Sequence, residues 1–257
     1  MSHLDMRQFM CRSDNYGVIV HDSKTGATAS IDAPDAEAVE RELRKFGRQL
    51  THIFTTHHHE DHVAGNLRLK ELFGCKIIGP KNEAEKIPGI DIRVAGGDKF
   101  SWADRDVNIF DCPGHTRGHI AFHIPSEYSL FVGDTIFVMG CGRVNEGSME
   151  EMWNSVNQFR TLSPVNYIYC GHEYTEANCR FALSIEPTNR ALQQRANVVS
   201  AQRARGEMTC PTNIADELKT NPFMRCDSPE IRKFLKLETA TDAEVFAELR
   251  TRKNNFK

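Results

Sequence analysis

No C-x-x-C pair occurs in this chain of 257 residues, and its eight cysteines, at positions 11, 75, 112, 141, 170, 179, 210 and 226, form no compact framework. Such scatter argues against a disulfide scaffold and for thiols that are mostly reduced and buried in a reducing compartment. Long apolar runs are missing too, and the opening residues MSHLDMRQFM contain neither an apolar stretch nor a small-residue cleavage site. Membrane insertion and secretion are therefore not expected, and the default location is cytoplasmic. Charge of one sign is scarce, since 32 basic against 35 acidic side chains leave a net −3. That balance advertises no polyanion, so no nucleic-acid partner is expected. What is present, 40% hydrophobic and 26% charged residues, is ordinary for a soluble globular enzyme with a sizeable core.

Against this background the stretch TTHHHEDH, residues 55–62, packs four histidines and two carboxylates together. Lying inside the chain and interleaved with acids, it is not a purification tag. Just before it, QLTHIFTTH reads as a short apolar strand from Leu50 to Thr55, so the histidines begin where a rigid element ends. His57 and His59 are two apart and, on extended backbone, point to one side, where both can reach one ion. Asp61 and His62 open a helical pattern, DHVAGNLRLKELFG, with apolar Leu67, Leu69, Leu72 and Phe73 and a closing Gly74. A turn into helix puts this second pair on a different side, where it can serve a second ion. An isolated histidine is more often a solvated loop residue, but H-x-H-x-D-H supplies two half-sites back to back. Imidazole and carboxylate suit zinc, iron or manganese, and donor types alone do not choose among them.

Up to about residue 170, short β-like runs alternate with helices. YGVIVHD and ATASIDAP read as neighbouring strands joined through SKTG, with Gly26 at the turn. DAEAVERELRKFG reads as a helix with Asp35 or Pro34 at its start and Gly47 after its end. Further strands are expected at 75–79, 106–111, 119–124, 129–133 and 166–170, with a helix near 149–160. Runs of this kind imply a sheet core covered by helices, in two sheets back to back. From about Thr175 the strand signals fade, and EANCRFALSI, NRALQQRANVVSAQRARG and DAEVFAELRTRKNNF carry helical spacing. The expected organisation is a catalytic domain over 1–174 and a helical domain over 175–257 that packs on it.

Four strands run into residues able to bind a metal. Besides the first, VNIFD leads into DCPGHTRGH, where the Pro113–Gly114 turn delivers His115. SLFVGDTIF ends in Gly133–Asp134, and YIYCGHEYT in Gly171–His172. His119, which starts the next strand, and His52 and His123, inside strands, are expected to be structural. Any one of these reads most simply as a polar loop residue, yet together they count out as chemistry. His57, His59 and His115 make one three-histidine site; Asp61, His62 and His172 make the other; Asp134 bridges the two. Each ion then keeps a position for a shared water, and two cations about 3.5–4 Å apart favour hydroxide near neutral pH and polarise a carbonyl or phosphoryl oxygen. These residues describe a metallohydrolase.

In this order, H-x-H-x-D-H followed by Gly-His, Gly-Asp and Gly-His resembles the metallo-β-lactamase superfamily. The resemblance implies an α+β fold, a metallo-β-lactamase αββα sandwich followed by a C-terminal helical domain. That superfamily hosts many activities, so the metal motif alone names no substrate. GDTIFVMGCGRVNEGS, CGHEYTEANCRFALSIEP, NPFMR and LRTRKNNF are similar to the hydroxyacylglutathione hydrolase, or glyoxalase II, family over nearly the whole chain. This implies hydrolysis of S-D-lactoylglutathione to D-lactate and glutathione in methylglyoxal detoxification, with two divalent metal ions, zinc first and iron or manganese also compatible. It further implies glutathione contacts at Arg143, Tyr174, Arg250 and Lys253. Glutathione carries two carboxylates, and Arg250 and Lys253 lie three apart on one face of the last expected helix, although such a face is commonly just solvated. Where the family often has an aromatic pair, this chain has Val144 and Asn145, which leaves Asn145 at a substrate-contact position with a tyrosine hydroxyl lost. Catalysis is expected to rest on Asp61, as an orienter of the attacking water, and on Asp134. The partner is a small-molecule thioester, with no nucleic acid and no membrane, and the chain is expected to act as a monomer. A sulfur dioxygenase, a nuclease of the same superfamily and a non-enzymatic metal- or thiol-ligand-binding protein remain as alternatives.

Overall fold

Alternating apolar runs at the start of the chain close into a six-stranded sheet in the computed structural model, which describes residues 3–256. Its strands are β1 (Asp5–Cys11), β2 (Asn15–His21), β3 (Thr28–Ile31), β4 (His52–Phe54), β5 (Lys76–Pro80) and β6 (Ile92–Val94), in that spatial order. β1 to β3 pair antiparallel, with the expected turn at Gly26, and β3 to β6 pair parallel. Parallel neighbours need a crossover. The first is α1 (Ala36–Phe46), where the Asp35 carboxylate accepts from Ala38 N and Gly47 closes the helix in the left-handed region. After His59 the chain forms two short helices, α2 (Glu60–Val63) and α3 (Asn66–Phe73), separated near Gly65, whose N–H donates to Ala33 O. Of the apolar residues Leu67, Leu69, Leu72 and Phe73 in this stretch, only Leu69 is fully buried; Leu67 is 59% exposed. Leu69 joins Val39, Leu43 and Phe46 of α1 against Ile19, Ile53 and Ile77 of the sheet.

A second sheet in the same unit runs β7 (Lys99–Trp102), β8 (Arg105–Asp111), β9 (Ile120–Ile124) and β10 (Ser129–Gly133), all antiparallel. The two sheets meet across Phe54 of β4, which stacks on Phe122 at 5.2 Å and meets Trp102 edge-on at 5.5 Å. Such aromatic pairs add about 0.5–1.5 kcal/mol each beyond the area they bury. This unit comprises the chain up to Asp111 together with Thr116–Gly133.

The second compact unit combines Cys112–His115 with Asp134 onward. It opens with a hairpin, β11 (Ile136–Phe137) and β12 (Gly140–Cys141), and α4 (Met149–Arg160), whose start is a Ser148–Glu151 capping box. β13 (Tyr167–Cys170), α5 (Thr175–Ile185), α6 (Arg190–Ala204), β14 (Thr212–Asn213), α7 (Ile214–Thr220), α8 (Pro229–Leu235) and α9 (Asp242–Asn254) follow, with β13 and β14 paired. Phe223 ties the helices together, stacking on Phe181 of α5 at 5.8 Å and meeting Phe246 of α9 edge-on at 5.7 Å. All eight cysteines are buried and, among the described residues, none is joined in a disulfide. Among the described residues no helix is long and apolar enough to cross a membrane.

Candidate active site

In the first unit the ligand set grows from the ends of β3 and β4. Asp32 follows β3 with φ 55, in the left-handed region that a residue bearing a side chain rarely adopts. Its carboxylate accepts from Thr56 N at 2.7 Å and Thr56 Oγ1 at 2.9 Å, and lies 2.8 Å from His62 Nδ1. These bonds hold the strained backbone in place. They also settle two tautomers: a carboxylate accepts, so His62 carries its proton on Nδ1 and presents the Nε2 lone pair. Thr56 Oγ1, having donated to Asp32, accepts from His57 Nδ1 at 3.0 Å, with the same result for His57. His59 stands on extended backbone just before α2, and its ring centre is 4.8 Å from that of His57, while the His62 ring is 4.1 Å from His57. His62 Nε2 lies 3.7 Å from Asp61 Oδ2, and Asn15 Nδ2 donates to that same oxygen at 3.0 Å. The four expected residues of this stretch are thus brought together. Buried Glu83 ties down the loop that carries them, accepting from His58 N at 2.7 Å and Gly118 N at 2.9 Å. Asp32, His57 and His62 could themselves surround an ion. Asp32, however, already accepts three hydrogen bonds, which makes it the group that aims the imidazoles.

In the second unit Asp134 Oδ2 lies 3.4 Å from His115 Nε2 and 3.3 Å from His172 Nε2. His115 Nδ1 is 2.8 Å from the Arg143 carbonyl, which can only accept, so its Nε2 lone pair faces the carboxylate oxygen. A lone pair and an anionic oxygen at this range repel unless a proton or a cation lies among them. The buried donor set therefore fits a divalent ion. Gly142 makes the arrangement possible, because a Cβ there would fall 1.9 Å from Asp134 O. His172 is further fixed by Tyr174, whose ring stacks on it at 4.8 Å.

Beside these residues lies a cavity of about 550 Å³ whose lining includes His115, Asp134, Arg143, Tyr174, Arg250 and Lys253. Asp134 is the one acid in that lining, so the cavity favours an anionic ligand. Lys253 Nζ donates to Ala177 O at 2.7 Å. Burial first, then the charges of Arg250, Arg180 and Arg143, push its ammonium down to about 8. Arg250 is buried, donating from Nη1 to Cys141 O at 2.8 Å and from Nε to Asn254 Oδ1 at 3.0 Å. Asn145, by contrast, is exposed and does not line the cavity. A larger cavity of about 840 Å³ in the same unit includes none of the expected site residues, and its Arg225 is paired with Glu186, so volume alone does not mark the site.

Two family descriptions match the chain: Metallo-beta-lactamase superfamily over residues 17–172 and Hydroxyacylglutathione hydrolase C-terminus over residues 173–256. A relative from Rhizobium meliloti (strain 1021), named hydroxyacylglutathione hydrolase, is 51% identical over 256 residues, covering 100% of both chains. The chain belongs to the hydroxyacylglutathione hydrolase family. Among solved structures, ETHE1 from Myxococcus xanthus superposes with a TM-score of 0.67 at 22% identity, covering 98% of this chain and 100% of that one. TTHA1623, solved in a di-iron-bound form, gives 0.58 at 19% identity, covering 81% and 94%. Such distant likeness speaks for the fold alone. The fold of this hydroxyacylglutathione hydrolase family member is the metallo-β-lactamase fold with a helical C-terminal region.

Sequence reasoning missed four residues that aim or hold the candidate ligands in this family member: Asn15, Asp32, Thr56 and Glu83. Asp32 carried a usable signal, since it ends the strand ATASID as Asp134 ends SLFVGD. Glu83 carried none, lying in a charged run, NEAEK, that reads as solvated surface. His119, expected to be structural, is fully buried with its ring 4.6 Å from that of His57.

Proposed function

We propose that this chain is a glyoxalase II, which hydrolyses the thioester of S-D-lactoylglutathione to D-lactate and glutathione with two divalent cations, in methylglyoxal detoxification. His57, His59 and His115 are assigned to one ion, Asp61, His62 and His172 to the other, and Asp134 to both. The observation that carries this reading is the Asp134 oxygen set 3.4 and 3.3 Å from two imidazole nitrogens, beside a cavity with three cationic side chains. When bound, divalent ions supply Lewis acidity toward a carbonyl oxygen and lower the pKa of water to near neutrality. The chain's own residues do the rest. Asp32 and Thr56 fix the imidazole tautomers, so that Nε2 lone pairs are available. Asp61, held by Asn15, is assigned the orientation of the attacking water. Arg143, Arg250 and Lys253 answer the two carboxylates of glutathione, and Tyr174 completes the proposed contacts within the cavity, with Asn145 left outside its lining. The leaving group is a thiolate, whose conjugate acid has a pKa of about 8.5, so it departs without a strong general acid.

Zinc heads the assignment of metal, with iron or manganese compatible with the same imidazole and carboxylate donors. Eight buried thiols outside any disulfide support a reducing, cytoplasmic setting, where the chain would act as a monomer on a small-molecule thioester. The test is thioester loss from S-D-lactoylglutathione by the purified protein, before and after chelation, with metals quantified in the same sample. Turnover that vanishes with the metal and returns on its addition sustains the reading. A sample holding two metals per chain without turnover overturns it, and oxygen uptake with a persulfide or cleavage of RNA would then identify the replacement.

A further inference from the structure

The hairpin β11–β12 lies in the chain between Asp134 and Arg143, and side chains hold its backbone at four consecutive residues. Asn178 Nδ2 donates to Val138 O at 3.1 Å, Met139 N donates to Glu217 Oε2 at 2.9 Å, Asn221 Nδ2 donates to Gly140 O at 2.9 Å, and Arg250 Nη1 donates to Cys141 O at 2.8 Å. Met139, at the tip, has φ 55, a conformation that needs outside support in a residue with a side chain.

Glu217 is the centre of this clamp. It is fully buried, and its two oxygens face different ways. Oε1 accepts from Arg195 Nη2 at 2.6 Å and Thr212 Oγ1 at 2.7 Å; Oε2 accepts from Met139 N and from Asn221 Nδ2, both at 2.9 Å. The Arg195 side would suffice for a carboxylate that merely secures α7. The Oε2 side serves the hairpin, directly at Met139 N and through Asn221, whose Nδ2 also reaches Gly140 O. The hairpin in turn bears on the donors at both of its ends: the Gly142 backbone returns onto Asp134, donating to Thr135 O at 3.3 Å, and the Arg143 carbonyl aims His115 through Nδ1.

We propose that Glu217, together with Asn221 of the NPFMR segment, is a positioning residue for the metal donors Asp134 and His115, acting through the hairpin clamp. The assignment rests on the functional reading above for the role of those donors, but its effect on metal affinity is measurable without substrate. All four partners of Glu217 are donors, so in Glu217→Gln the amide nitrogen faces a donor whichever way it is turned. Asn221→Ala removes the carbonyl contact and leaves the Arg195 pair intact. Thr220→Val is the control, because Thr220 Oγ1 accepts from Arg195 Nη1 at 2.5 Å and has no bond to the hairpin.

The experiment is titration of the metal-free proteins with Co²⁺ against a competing chelator, alongside circular dichroism, melting temperature and thioester hydrolysis. Glu217→Gln and Asn221→Ala are expected to stay folded and to lose roughly ten- to hundredfold in Co²⁺ affinity, the range for residues that aim ligands. Thr220→Val should melt earlier and bind Co²⁺ as the parent does. Folded Glu217→Gln and Asn221→Ala with parental affinity would overturn the proposal, as would an equal loss in Thr220→Val. If Glu217→Gln does not fold, Asn221→Ala decides alone. Absence of turnover in the parent protein would defeat the glyoxalase reading, while the Co²⁺ affinities would still judge the clamp.

Discussion

In the unit that carries His57, His59, Asp61 and His62, the proposed ligands are neighbours in the chain, and side-chain carboxylates aim and hold them: Asp32 sets the His62 ring and Glu83 the loop. In the unit that carries His115, Asp134 and His172, the proposed ligands are far apart in the chain. There a backbone carbonyl aims one ring, an aromatic face flanks another, and a clamped hairpin lies in the chain between Asp134 and Arg143, whose carbonyl faces His115. The same demand, a fixed Nε2 lone pair, is met once by buried charge and once by backbone geometry. The difference predicts how each half fails. Charge-aimed rings should lose tautomer control when a carboxylate becomes an amide, whereas the carbonyl-aimed ring should be indifferent to such changes and vulnerable to altered chain path.

The largest effect should come from the residue both ions are assigned to share. Asp134→Ala is expected to lower thioester turnover by about a thousandfold or more, since several kcal/mol of charge stabilisation go with the ions and each 1.36 kcal/mol is tenfold. Metal content measured on the same sample should fall below two per chain, and full activity with full metal would refute the assignment. Gly142→Ala attacks the same donor through the backbone. With a Cβ 1.9 Å from Asp134 O, the hairpin must move, so its loss should approach that of Asp134→Ala even though no ligand atom has been touched.

A smaller effect is expected at Asp32. Asp32→Asn puts an NH₂ group among three donors, so either Thr56 or His62 loses its acceptor, and the expected loss in metal affinity and turnover is roughly ten- to hundredfold. Glu83→Gln should cost less than Asp32→Asn, because Glu83 holds two backbone N–H groups and aims no ring assigned to a metal. Equal losses in the two variants would mean that the loop's path, and not the tautomer of His62, governs the first half as well.

How far these features could be read from the sequence follows from their length in the chain. The histidine run, the strand ends at Asp134 and His172, α1 with the signals at its two ends, and α4 were legible because each rests on a local signal: an apolar run of several residues, a turn pair or a capping residue. β11 and β12 are two residues each, too short for a period of two to show, and α7 and α8 are seven residues each, too short for a helical stripe. β1 escaped notice because it alternates between exposed and half-buried only over residues 5–8 and then runs half-buried through Phe9 and Met10 to buried Cys11, so no regular apolar face marks it. The orienting groups are illegible for a further reason. Glu83 and Glu217 look like solvated charges until the fold brings them to backbone N–H groups 25 and 78 residues away. The resemblance to a known family reached the cationic cavity residues, but it placed Asn145 at a contact position where the side chain is exposed and outside the lining.

The smallest predicted effect separates substrate holding from metal holding. Lys253 of α9 is pushed down to about 8 by its burial and by Arg250 on its own helix, Arg180 of α5 and Arg143 of the loop, with buried Cys141 acting slightly in the opposite sense. An anionic ligand favours the charged lysine. Below pH 8 the ammonium is already protonated and KM should be flat. Above pH 8 binding must take up a proton, so KM should rise with pH, approaching tenfold per unit well above that value. Lys253→Met should start from a higher KM and lose the slope, with its metal content unchanged, because the lysine ammonium donates to Ala177 O and is not among the assigned metal ligands. If the slope survives in Lys253→Met, the titrating group lies elsewhere, and the lysine is then a strut of α9 against α5, with substrate charge answered by Arg143 and Arg250 alone.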